Sequence, residues 1–138
     1  MLGRTVQPMC GRFTLTAPGA DLTEHFELSE TPLLQARFNI APSQAVPAIR
    51  VASGKRELSL LKWGLVTSRS KAPSVKFSNI NARAETIATS RAYRPAFENR
   101  RCLMPADGFF EWAPGPPKQP HYFRLSVSAR PNHPWRPR

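Results

Sequence analysis

Hydrophobic and polar positions alternate along several short stretches of the chain, and each is bounded by turn-forming residues. Phe13 and Leu15 alternate with Arg12, Thr14 and Thr16, a period of two that predicts a strand. Pro18-Gly19 turns the chain. Asp21-Leu22-Thr23-Glu24 has the spacing of a capping box, and Leu22, Phe26 and Leu28 give a short helix one apolar face. His25 on that helix reads as a solvent-side residue. Arg37 to Pro42 is extended and stopped by proline. Val46–Val51 and Leu58–Trp63 read as strands joined by a hairpin turn at Ser53-Gly54-Lys55. Residues 67–76 are polar, with Arg69, Lys71 and Lys76, and read as an exposed loop.

Ala82, Ala84 and Ala88 predict about two helical turns with Asn81 as the cap. Ser90 to Phe97 predicts another short helix, with Tyr93 and Phe97 at i and i+4. Arg101 to Met104 is a strand candidate, and Cys102 within it reads as a buried structural thiol. Asp107-Gly108 turns the chain into Phe109–Trp112. Beyond a proline loop, His121 to Val127 alternates again. Short strands with three small helices between them predict an α+β domain rather than βαβ units.

Composition narrows the picture. A chain of 138 residues makes at most one domain. Its net charge is +11, from 20 Lys plus Arg against 9 acids. Setting aside residues 1–8 and 126–138 still leaves 16 bases against the same 9 acids, so the folded part is itself basic. That points to a polyanionic partner, nucleic acid before an anionic membrane; the alternative is a merely basic surface. The two cysteines, Cys10 and Cys102, form no CxxC and no Cys/His cluster, so no metal and no cofactor is expected. No apolar run approaches the ~18–20 residues of a membrane span. Residues 1–8 lack the apolar core of a signal peptide, so a cytoplasmic, reducing location is expected. They read as a leader ahead of a second start at Met9, and residues 126–138 as a divergent, basic, proline-rich tail.

Three residues carry candidate chemistry. Cys10 at a chain terminus would offer a thiol and a free amine on adjacent carbons, a pair that closes a five-membered ring on an aldehyde. Glu111 lies between Phe110 and Trp112. Simple alternation puts it in solvent; pointing with the apolar set instead would suit it to proton transfer. Asn81 reads first as a helix cap and second as an amide that holds a sugar or phosphate oxygen. Arg83 and Arg91 flank it and could hold backbone phosphates. Trp63 at a strand end is core, or else a surface on which an unpaired base stacks.

Six motifs occur in one order: Met-Cys-Gly-Arg-Phe at 9–13, Arg-Phe-Asn-Ile-Ala-Pro at 37–42, Trp-Gly-Leu at 63–65, Asn-Ile-Asn-Ala-Arg-Ala-Glu-Thr at 79–86, Arg-Cys-Leu-Met-Pro-Ala-Asp-Gly-Phe-Phe-Glu-Trp at 101–112 and Lys-Gln-Pro-His-Tyr at 118–122. Over residues 9–125 the chain closely resembles the SRAP family, the SOS response-associated peptidases or abasic site processing proteins. The resemblance implies a mixed, mainly antiparallel β-sheet or barrel with short flanking helices. It implies single-stranded DNA with abasic sites as partner, a monomer, and an N-terminal cysteine that captures the sugar aldehyde as a thiazolidine. Self-cleavage ahead of that cysteine is also implied. Cys10, Asn81 and Glu111 match the family's catalytic residues. Arg12, Asn39, Pro42, Trp63, Arg83 and Arg91 match its DNA-binding residues. The match fades near Ser126, before the family's active-site histidine, and His121 and His133 stand in the wrong context to replace it. From this the sequence predicts an incomplete C-terminal end, exposed apolar edges and weakened catalysis, with a binding-only module as the alternative function. A generic cysteine peptidase built on Cys10 is a third reading.

Overall fold

The computed structural model describes residues 10–67, 70 and 79–125. The leader, Arg69, Lys71, Lys76, His133 and the rest of the tail lie outside the described residues. Among the described residues six strands and two helices follow one another as β1 (Arg12–Leu15), α1 (Gly19–Phe26), β2 (Arg37–Ile40), β3 (Ala45–Ala52), β4 (Lys55–Lys62), α2 (Arg94–Asn99), β5 (Gly108–Trp112) and β6 (Pro120–Arg124). One antiparallel sheet has the order β2-β1-β5-β6, and β3-β4 forms a separate hairpin. This is the α+β architecture expected, with no closed barrel among the described residues.

Strand β1 lies inside the four-stranded sheet, between β2 and β5, and its Phe13 and Leu15 side chains need covering. Phe13 and Leu15 are buried with Ile40, Val46 and Trp63 in one cluster, and Leu22, Leu28 and Ile49 form a second. The Phe13 and Trp63 rings meet edge to face, with centroids 5.2 Å apart, an arrangement favoured by the aromatic quadrupole. Backbone bonds then extend the hairpin ladder beyond the ends of β3 and β4. Ser43 N–H donates to the Trp63 carbonyl at 2.8 Å, and Trp63 N–H to the Gln44 carbonyl at 2.9 Å.

The hairpin turn is as expected. Ser53 and Gly54 both have positive φ, 50° and 77°, the pair that a two-residue turn matched to strand twist requires. Gly108 serves another purpose: a Cβ there would lie 2.5 Å from both the Tyr122 hydroxyl and the Phe123 carbonyl oxygen. Only hydrogen at that position lets β5 approach β6 this closely.

Five local expectations are corrected. Helix α1 begins at Gly19, and no side chain caps it, so Asp21 lies inside its first turn and no capping box forms. Residues 84–89 make turns instead of a helix, and Asn81 caps nothing. Its side chain bonds elsewhere, and six residues of fair helix propensity cannot overcome the cost of nucleating a helix. Around 103 only an isolated bridge forms, Leu103 with Ile49. Cys102 is exposed, because no second strand covers that segment. The second helix starts at Arg94, with proline in its first turn, where a missing N–H costs nothing.

Asp107 carries more than a turn. It is 7% exposed, and its Oδ2 accepts from both the backbone N–H and the hydroxyl of Thr16, the latter at 2.7 Å. Its own N–H donates to the Thr14 carbonyl at 2.9 Å. The carboxylate therefore pins the end of β1 to the start of β5. The sequence reading missed this role, because aspartate before glycine is the usual signature of a turn.

Candidate active site

The N-terminal end of β1 carries Cys10, and two distant segments converge on it. The first is residues 79–81, which are held by one backbone bond and two side-chain bonds from outside the segment. Leu65 N–H donates to the Asn79 carbonyl at 2.9 Å. Trp63 Nε1–H donates to the Ile80 carbonyl at 3.0 Å. The Tyr93 hydroxyl donates to the Asn81 carbonyl at 2.7 Å. Held in this way, Asn81 turns its side chain to Cys10: Nδ2–H donates to the Cys10 carbonyl at 2.9 Å, across 71 residues of sequence.

The second segment is β5. Glu111 pairs with His121 of β6 and shares a sheet face with Phe109, the register partner of buried Phe13. It is half-buried, and its Oε2 is buried with no hydrogen-bond partner among the described residues. Simple alternation with Glu111 in solvent does not hold, because its Oε2 is buried.

These surroundings act on the Cys10 thiol. Burial pushes its pKa up, the backbone hydrogen bond to Arg12 at 3.5 Å works against this, and the negative charge of Glu111 pushes it up again. Through neutral pH the sulfur therefore keeps its proton. The sign of the Glu111 contribution gives a direct prediction. Glu111→Gln removes the charge, so the thiol ionises at lower pH. The iodoacetamide alkylation profile of Cys10, separated from exposed Cys102 by peptide mass mapping, shifts to lower pH in the variant.

The remaining expected residues are placed as follows. Arg12 is half-buried and its Nη1–H donates to Asn39 Oδ1 at 2.9 Å, so two of the expected DNA contacts form one pair beside Cys10. Pro42 is half-buried in the tight turn of residues 41–44, where Gln44 N–H donates to the Ala41 carbonyl at 3.3 Å and Ser43 has φ 69°. Arg83 and Arg91 are exposed. Trp63 is 7% exposed, with its indole N–H committed and its ring against Phe13. Its place is in the core, as support for the Asn81 segment, and its ring has no open face for a base.

Tyr93 escaped the sequence reading as a site residue. The i, i+4 spacing to Phe97 explained it as packing, and only its hydroxyl, where phenylalanine would have packed as well, signalled a polar task. Among the described residues no three His, Cys, Asp or Glu side chains gather to hold a metal.

Comparison with known proteins identifies the family. Residues 9–132 match the family model described as SOS response associated peptidase (SRAP). The abasic site processing protein YoaM of Bacillus subtilis is 38% identical over 107 residues, 75% of this chain and 47% of YoaM. YobE, an abasic site processing protein of the same organism, is 33% identical over 124 residues, covering 88% of this chain and 57% of YobE. Among solved structures, a phage-related protein of Bordetella bronchiseptica superposes with a TM-score of 0.63 at 31% identity, covering 82% of this chain and 54% of that one. The chain thus spans about half the length of the curated relatives it matches.

Proposed function

The chain belongs to the SRAP family, and from that premise we propose that it processes abasic sites, capturing the sugar aldehyde of single-stranded DNA on an N-terminal Cys10. The observation that carries this reading is the meeting of Cys10, Asn81 and Glu111 from three separated segments, one by hydrogen bond and one by charge.

The chemistry needs a free α-amine, so the proposal includes a chain that begins at Cys10, through a start at Met9 or self-cleavage of the Met9–Cys10 bond. The neutral amine attacks the aldehyde carbon and gives a carbinolamine. Loss of one water leaves an imine. The thiol then adds to the imine carbon, and its proton ends on the ring nitrogen of a thiazolidine. Because the thiol stays protonated near neutral pH, a group must take that proton as sulfur attacks and return it to nitrogen. Glu111 is suited to this, having a buried oxygen with no other partner among the described residues. Asn81 holds the Cys10 carbonyl and so sets the direction of both nucleophiles. Arg12 with Asn39, and the exposed Arg83 and Arg91, supply cationic and polar contacts for the phosphates on either side of the lesion.

The test uses the purified chain, its N-terminal residue read by intact mass, and two labelled single strands that differ only by one abasic site. A band retarded on a denaturing gel with the abasic strand alone is expected. Retention of both strands on a native gel with no denaturation-resistant band would instead make it a binding module. A chain that keeps residues 1–8 and still traps the abasic strand would overturn the ring chemistry.

A further inference from the structure

Resting on the abasic-site reading above, we propose that Tyr93 is a positioning residue for the capture reaction: its phenol fixes the Asn81 backbone, and through Asn81 the carbonyl of the nucleophilic Cys10.

The segment that carries Asn81 belongs to no helix and no regular strand. Its backbone direction is therefore set by the bonds made to it. Asn79 is held by a backbone bridge to Leu65 and Ile80 by the Trp63 indole. At Asn81 itself the hold on the backbone is the Tyr93 hydroxyl, at 2.7 Å. Release of that carbonyl leaves the peptide unit after Asn81 free to rotate, and the Asn81 side chain then loses its aim at the Cys10 carbonyl.

Tyr93 is well rooted for this task. It is the residue preceding α2, and its own carbonyl accepts from the N–H groups of Ala96 and Phe97 at 3.0 and 2.9 Å. The tyrosine is half-buried, and burial pushes its phenol pKa up, so the hydroxyl keeps the proton it donates throughout the neutral range. The relay runs from the first turn of α2 to the Asn81 backbone, along the Asn81 side chain, to Cys10. It joins α2 to a nucleophile that the helix does not touch through a named bond. Positioning of this kind governs how often the reacting atoms meet in a productive geometry, and a displacement of about 1 Å costs roughly a hundredfold in rate.

The experiment removes one oxygen. Tyr93→Phe in the full chain keeps the ring, and it is compared with wild type in two ways. In the first, the side-chain amide protons of Asn81 are followed by NMR, a signature that does not depend on any reaction. They are expected to change shift and to exchange with solvent roughly tenfold faster. In the second, adduct formation on an abasic strand is timed. The rate constant at saturating DNA is expected to fall by about 10- to 100-fold, while the half-saturating DNA concentration stays at its wild-type value and the thermal midpoint drops by no more than the few degrees that one lost hydrogen bond costs. An Asn81 signal and a rate constant both unchanged would overturn the proposal. So would losses in midpoint and half-saturation that account for the slower rate, since Tyr93 would then serve only the fold. If the wild-type chain forms no adduct at all, the abasic-site reading fails, and the Asn81 signal alone decides whether the relay exists.

Discussion

On the proposed function, Cys10→Ser is expected to abolish the denaturation-resistant adduct with abasic single-stranded DNA, a loss on the order of 10²-fold or more, while leaving a species that borohydride can trap. The split follows from which atoms the substitution spares. Serine keeps the α-amine, and an α-amine, with a pKa near ~7.8 against ~10.4 for lysine, has a neutral fraction some hundreds of times larger at pH 7. The imine therefore still forms. The hydroxyl that replaces sulfur is a far weaker nucleophile, so ring closure fails and the imine returns to aldehyde and amine on hydrolysis. Gel analysis with and without borohydride measures both halves. An equally stable band from the serine variant would place the linkage somewhere other than the sulfur. Glu111→Gln complements this test. It also slows adduct formation, by roughly 10²-fold if the carboxylate carries the proton, although the same substitution makes the thiol easier to ionise. Slower capture from a more acidic thiol is not explained by thiol reactivity alone and points to proton transfer.

Trp63→Ala destabilises the fold by about 3–5 kcal/mol, as expected for truncation of a large buried aromatic. That is a large share of the ~5–15 kcal/mol that holds a typical domain together. Three losses combine: the edge contact with Phe13, the packed volume among Ile40, Val46 and Leu15, and the indole bond to the Ile80 carbonyl. Urea unfolding followed by circular dichroism reads the total. Trp63→Phe separates the parts, because it keeps most of the ring and removes the donor. It is expected to cost about 0.5–1.5 kcal/mol, the net contribution of one part-buried hydrogen bond. If either variant lost DNA affinity while keeping wild-type stability, the tryptophan would belong to the DNA surface and not to the core.

These two residues also show where sequence was informative. Strand β1 was legible because Phe13 and Leu15 alternate with polar neighbours and both proved buried. The β3-β4 hairpin was legible because its turn chemistry, Ser53-Gly54, is local. The helix expected over 82–88 failed for the opposite reason. Its alanines express a weak preference of a few tenths of a kcal/mol each, whereas the partners that hold residues 79–81 in place, Trp63, Leu65 and Tyr93, lie far away in sequence. At the site, pattern alone read Asn81 as a cap and Glu111 as solvent-facing. Their association with Cys10 came from the resemblance of whole motifs, since no periodicity reports a contact across 71 residues. Asp107 and Tyr93 lay beyond both kinds of reading. A buried carboxylate and a single phenolic oxygen gain their meaning from the groups folded against them.

The place of β1 in the sheet has one more consequence, for the order in which the protein is made. Its hydrogen-bonded neighbour β5 lies far downstream; Thr14 and Gly108, which face each other across the two strands, are 94 residues apart. At translation speeds of about 5–20 residues per second, that interval is roughly 5–20 s, during which one edge of β1 has nothing to pair against. Cys10 leaves the ribosome well before Glu111 does. On the proposed function, any step that depends on both must therefore wait until the polypeptide has been synthesised through β5.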